Sequence, residues 1–144
     1  MPEPPYIVDR TGFARAGTTV DPHEWQINLA PRDLSFIRVD FQLRLQFDDV
    51  EVVIEGPFNV ERGGETYTLH PDDRAALGAV LAIYPSSLVA NEIEPDGTLR
   101  LMFQSGDRIS VPPDPHHEPW QINGPGDALV VCTPGVPAKL ATWS

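Results

Sequence analysis

A chain of 144 residues fits one domain, and its 41% hydrophobic and 22% charged residues argue against disorder. Twenty-one acidic side chains against ten basic ones give a net charge of −11, a field that repels nucleic-acid phosphates and anionic lipid heads and draws in basic partners. With one cysteine no internal disulfide is possible, and Cys132, in the apolar run at 128–132, reads as a small buried hydrophobe in a reducing compartment.

The start, MPEPPYIVDR, has neither the basic nor the apolar region of a secretion signal, and no apolar run approaches membrane-spanning length, so the expected location is the cytoplasm. Residues 1–33 scatter single apolar residues among Pro2, Pro4, Pro5, Gly12, Gly17, Pro22 and Pro31, which predicts an N-terminal arm with short extended pieces. The compact domain is expected to span 34–144. Residues 36–47 alternate, with Val39, Phe41, Leu43, Leu45 and Phe47 on one face and Arg38, Asp40, Gln42, Arg44 and Gln46 on the other, the period of one half-buried strand. Asp48-Asp49 then turns the chain into a second strand, 51–60, interrupted at Gly56-Pro57, and Arg62-Gly63-Gly64-Glu65 turns it into a third at 66–69. Pro71, Asp72 and Asp73 suit a helix start, and Leu77, Val80, Leu81 and Tyr84 recur at helical spacing up to Pro85, so one helix is predicted over about 71–84. Strands at 88–94, 98–103 and 108–111 follow, joined by Pro95-Asp96-Gly97 and Ser105-Gly106-Asp107. Two more, 120–123 and 129–132, flank the turn at 124–127. Hairpins with one helix predict an α+β fold, mainly antiparallel sheet or a partly open barrel.

No motif in the chain carries recognisable catalytic spacing. His116, His117, Glu118 and Asp114 are metal-ligand types, but adjacent residues on an extended segment point to opposite sides, and His23 and His70 lie far away in sequence. Cys132 lacks the polar, partly exposed setting of a nucleophile. There is no serine elbow and no phosphate-binding glycine loop. The pairs Asp48-Asp49 and Asp72-Asp73 sit where turns and helix starts use acids. The expectation is therefore no catalytic residue, no metal and no cofactor. Trp120 and Trp143 are expected in the core, whereas Trp25, in the arm, is equally suited to anchoring a partner. Around it DPHEWQIN (21–28) echoes DPHHEPWQIN (114–123), one echo being too few for a repeat protein.

The segments VDFQLRLQFDDVEVVIEGPF, DGTLRLMFQSGDRISVPPDP and HEPWQINGPGDALVVCTPG resemble an actinobacterial family of small proteins of unknown function, over about Leu34 to Trp143. The likeness rests on Gly56-Pro57-Phe58, on Asp114, Glu118 and Trp120 ahead of Gly124, and on Val131-Cys132 with Pro134-Gly135 before Ala141-Thr142-Trp143. The chain departs from that pattern at Val136, where a second glycine is common, and at His117, where an aromatic is common. The resemblance brings no known activity with it. By analogy with small acidic proteins that accompany secreted toxins, it implies an immunity-like role.

Three functions stay open on these grounds. The leading one is a non-enzymatic acidic binding protein, an immunity or escort protein occluding a basic partner, with Asp48, Asp49, Glu51, Glu55, Glu61 and Glu65 steering and Trp25 anchoring. The alternatives are a small-molecule-binding or enzymatic barrel, using His70, Asp114, His116 or His117, and a self-associating structural domain. No nucleic acid and no membrane is expected as partner, and the oligomeric state is open.

Overall fold

The two acids after Phe47 open the first hairpin, because aspartate tolerates the left-handed backbone that a tight loop requires. Asp48 has φ 55, and the loop it starts joins β6 (Leu43–Phe47) to β7 (Val50–Ile54), with Phe47 opposite Val50. This is a computed structural model, and it describes residues 7–9, 18–22, 25–27, 29–126 and 128–143. Both β6 and β7 put every second side chain inward: Leu43, Leu45, Phe47, Val50, Val52 and Ile54 are all buried in the core.

The chain crosses to a second sheet at Gly56-Pro57. β8 (Phe58–Arg62) pairs with β9 (Glu65–Leu69) through Gly63 and Gly64, whose φ values of 58 and 82 are the left-handed pair of a tight hairpin loop. β10 (Ser87–Ile93), β11 (Leu99–Phe103) and β12 (Arg108–Val111) form a meander in this sheet, and β12 pairs with β8. β13 (Trp120–Asn123), β14 (Leu129–Cys132) and β15 (Leu140–Trp143) return to the first sheet, with β13 against β7.

Short pieces from the first 39 residues complete the layers. β1 (Ile7–Asp9) and β3 (Trp25–Ile27) form a two-stranded ribbon, β2 (Thr18–Val20) pairs with β15, β4 (Arg32–Asp33) pairs with β10, and β5 (Phe36–Val39) pairs with β6. The result is a seven-stranded sheet, β2-β15-β14-β13-β7-β6-β5, and a six-stranded one, β4-β10-β11-β12-β8-β9, every described pairing antiparallel. One core lies between them, holding Leu45, Ile54 and Trp120 of the first sheet with Val60, Leu101 and Ile109 of the second. Across it Phe47 and Phe103 stack with centroids 6.1 Å apart. The fold is thus two facing antiparallel sheets with a small helix, as the hairpins led one to expect, and not a closed barrel.

The helix is shorter than the sequence suggests. In place of a helix over 71–84, a 3-10 turn at Arg74–Ala76 precedes α1 (Gly78–Leu81), with no side-chain hydrogen bond capping either start. Without that cap and with Gly78 at the first α-helical position, the segment sustains little more than one turn. The predicted strand 36–47 is also two strands, broken where the Asp40 N–H bonds the Gln42 carbonyl at 3.0 Å and the Gln42 N–H bonds Asp40 Oδ1 at 2.8 Å. That turn places Phe41 at a hairpin tip, 84% exposed, instead of in the core.

Trp120 ties the layers together. Its ring is fully buried, and its Nε1–H donates to the Gly97 carbonyl at 3.0 Å, joining the first sheet to the β10–β11 turn of the second.

Candidate functional site

Two polar and apolar surfaces flank the β5–β6 hairpin. On the outer face of the seven-stranded sheet, Arg44 gathers two acids and an amide from the Asp40–Gln42 turn and β7: its Nε donates to Asp40 Oδ2 at 3.1 Å, its Nη1 to Glu51 Oε1 at 2.9 Å and its Nη2 to Gln42 Oε1 at 2.6 Å. Gln42 passes a hydrogen bond on to Glu55 Oε1, and Asn123 Nδ2 donates to Glu51 Oε1 at 3.1 Å. The Gln42 backbone N–H, followed by Arg44 and Arg38, holds the Asp40 carboxyl below its ordinary value. Burial, and then the charge of Glu118, pushes the Glu55 carboxyl up.

Because the folded protein binds that proton more tightly than the unfolded chain does, stability attributable to Glu55 falls as pH rises from its ordinary value of 4.5 through the raised folded one. Glu55→Gln keeps the acceptor for Gln42 and removes the titration. Urea midpoints of this variant across mildly acidic to neutral pH are expected to equal or exceed those of the parent at neutral pH, with a shallower decline.

The second surface is a groove on the open side of β5. Ser35, Phe36 and Ile37 form one wall and Leu81 and Tyr84 the other, enclosing a volume of about 390 Å³. Phe36 is 49%, Leu81 45% and Tyr84 50% exposed, an apolar grouping of the kind that marks interaction sites. Among the described residues β5 is the last strand of its sheet, and its Phe36 and Ile37 line this groove. Acids lie at one end: the Asp48 N–H donates to Ser35 Oγ at 3.0 Å, and Asp33 Oδ1 accepts from Ser87 Oγ at 2.6 Å, while the Leu34 N–H bonds the Ser86 carbonyl at 2.9 Å. Asp33, Asp48 and Asp49 are all exposed. Asp49 lies 3.6 Å from the buried guanidinium of Arg32, whereas among the described residues no ion pair involves Asp33 or Asp48.

A model for a family of unknown function (DUF6188) matches residues 25–144, so the match takes in both surfaces. The chain belongs to that family. No curated protein matches it, nor does any solved structure.

The six acids singled out from the sequence fall in three places. Asp48 and Asp49 share the turn beside the groove, Glu51 and Glu55 belong to the Arg44 network or its edge, and Glu61 and Glu65 lie on the β8–β9 hairpin of the other sheet. Glu65 accepts from the Tyr67 hydroxyl at 2.7 Å, which raises the phenol's pKa. Trp25 lies in β3 opposite Asp9, and its side chain is outside the described residues, as is that of Trp143. His116 and His117 are exposed in a loop, their backbone N–H groups donating to Asp114 Oδ1 at 2.8 and 3.0 Å, which together with the histidine charges lowers the Asp114 pKa. Neither they nor His70 line the groove, and no metal-holding group of His, Cys, Asp or Glu occurs among the described residues.

The groove residues themselves went unnoticed in the sequence, although one signal was present. Phe36 has the parity of Arg38, Arg44 and Gln46, an aromatic out of phase on a polar face. Leu81 and Tyr84 share helical spacing with Leu77 and Val80, but only the latter two are buried.

Cys132 is fully buried, and burial, then Asp96 and Glu118, pushes its thiol up to about 12. Native protein at pH 8 is accordingly expected to resist an aromatic disulfide reagent until denaturant is added; rapid titration of the native thiol would contradict this. Among the described residues no helix is long and apolar enough to cross a membrane.

Proposed function

We propose that this protein is a non-enzymatic binding protein that occludes a basic partner protein in the cytoplasm, as an immunity or escort protein does. The observation that carries the reading is the exposed Phe36–Leu81–Tyr84 groove with acids at its end, on a chain of net charge −11. Apolar side chains there supply affinity, while Asp33, Asp48 and Asp49 steer a cationic surface toward it, aided by the long-range field of Glu51, Glu55, Glu61 and Glu65. A toxin neutralised by its immunity protein is the partner that the family resemblance suggests.

The test is capture from an actinobacterial lysate by the parent protein and by the Phe36→Ser/Tyr84→Ser variant, at low and raised salt. Both side chains are about half exposed, so the variant is expected to melt with the parent. A basic protein retained stoichiometrically by the parent at low salt, released at raised salt and absent from the variant supports the reading. Equal capture by both proteins, or none by either, overturns it.

A further inference from the structure

Natural sheets blunt their free edges with lysine, proline, bulges or a covering element, because an open edge invites another strand. α1 stands across the groove from β5, but β5 carries neither lysine nor proline and pairs without a bulge. Its four residues are FIRV, and it ends its sheet beside the groove. Its single charged residue, Arg38, is drawn toward Glu51 Oε2 at 3.9 Å and Asp40 Oδ2 at 3.8 Å.

We infer that the partner enters as an extended segment that adds a strand to β5, with alternate apolar side chains in the groove and a cationic side chain against Asp48 and Asp33. This rests on the reading of the groove as the site for a basic partner and adds how that partner is held. Main-chain pairing supplies affinity in such complexes, and pockets for every second side chain supply selectivity. Charge decides the occupant: a second copy brings its own −11 to an acid-ended groove, whereas a lysine- or arginine-bearing strand complements Asp33 and Asp48, which no cation of the described chain engages.

The experiment uses a fluorescent eight-residue peptide of alternating lysine and valine with two derivatives, one N-methylated at every valine and one at every lysine. Alternate N–H groups of a strand point to opposite edges, so only one derivative loses the pairing edge. The parent peptide is expected to bind by anisotropy and to slow hydrogen exchange in residues 36–39. One derivative should bind at least about tenfold more weakly, as for the loss of several hydrogen bonds, and the other about as well as the parent. Asp48→Asn is expected to weaken binding several-fold and to flatten its salt dependence.

Equal binding of all three peptides, or protection away from β5, overturns strand addition. If Asp48→Asn still weakens all three under equal binding, the acidic-groove reading survives while strand addition falls. Absence of binding by any peptide overturns strand addition whatever the lysate capture returns, and a dimer in sedimentation that excludes the peptide assigns the edge to a second copy instead.

Discussion

Trp120→Ala is expected to lower the urea midpoint by the equivalent of about 4–6 kcal/mol. Truncating a buried tryptophan costs about 3–5 kcal/mol through lost burial and the cavity that remains. Here the same change removes the strong donor to the buried Gly97 carbonyl, 3.0 Å away, leaving it the weak Cys132 thiol donor at 3.8 Å, and an under-satisfied buried carbonyl costs up to about 1–3 kcal/mol more. Even with partial relaxation the total, about 4–6 kcal/mol, equals the whole stability of a domain at the low end of the usual 5–15 kcal/mol and about a third of it at the high end. Trp120→Phe separates the two contributions, since it keeps most of the ring and loses only the N–H. Its urea midpoint should fall by the equivalent of about 1–3 kcal/mol. A phenylalanine variant as unstable as the alanine one would place the stability in the hydrogen bond, and an unperturbed one would deny that the bond matters.

The second large effect is expected at the other end of that bond. Gly97 has φ 102, and a Cβ on it would lie 2.7 Å from the Ala138 Cβ, closer than two carbon atoms can approach. Gly97→Ala therefore combines backbone strain of about 1–2 kcal/mol with overpacking of about 1–3 kcal/mol. The loss of about 2–5 kcal/mol corresponds to a fall in melting temperature on the order of 10 °C for this chain length. Neighbours leave little room for relief, because the Ala138 N–H is held by the Asp96 carbonyl at 2.9 Å. Adding Ala138→Gly should restore the packing share and leave the strain, so calorimetry of the double variant is expected to return part of the lost stability. Full additivity of the two changes would show that the atoms do not meet.

How much of this was legible in the sequence follows from which interactions are local. Hairpins closed by Asp48-Asp49, Gly63-Gly64 and Pro95-Asp96-Gly97 are written in turn chemistry, and the alternation of 43–47 and 50–54 sets which side chains meet in the core. The break at Asp40–Gln42 was not legible. It depends on the Asp40 carboxylate bonding a backbone N–H and on Arg44 binding the same group, while the alternation runs through it undisturbed. β15 is formed by pairing with β14 and β2, partners that no local pattern around Leu140 names. The groove was hidden for a similar reason: Phe36 meets Leu81 and Tyr84 only because the chain crosses between sheets at Leu34-Ser35 and the short α1 returns beside it. Its acids, Asp33 and Asp48, are brought near by the same crossing.

The strand order has a kinetic consequence. β6–β7, β8–β9 and the β10–β11–β12 meander join sequence neighbours and can form within microseconds once their turns close. By contrast β7 waits for β13, β8 for β12, and β2 for β15, with Val20 opposite Leu140. Non-local pairings of this kind place folding in the millisecond-to-second range. On the ribosome, at about 5–20 residues per second, residues 18–20 must remain without their partner strand until 140–142 have emerged, so the seven-stranded layer is completed only after β15 has been made.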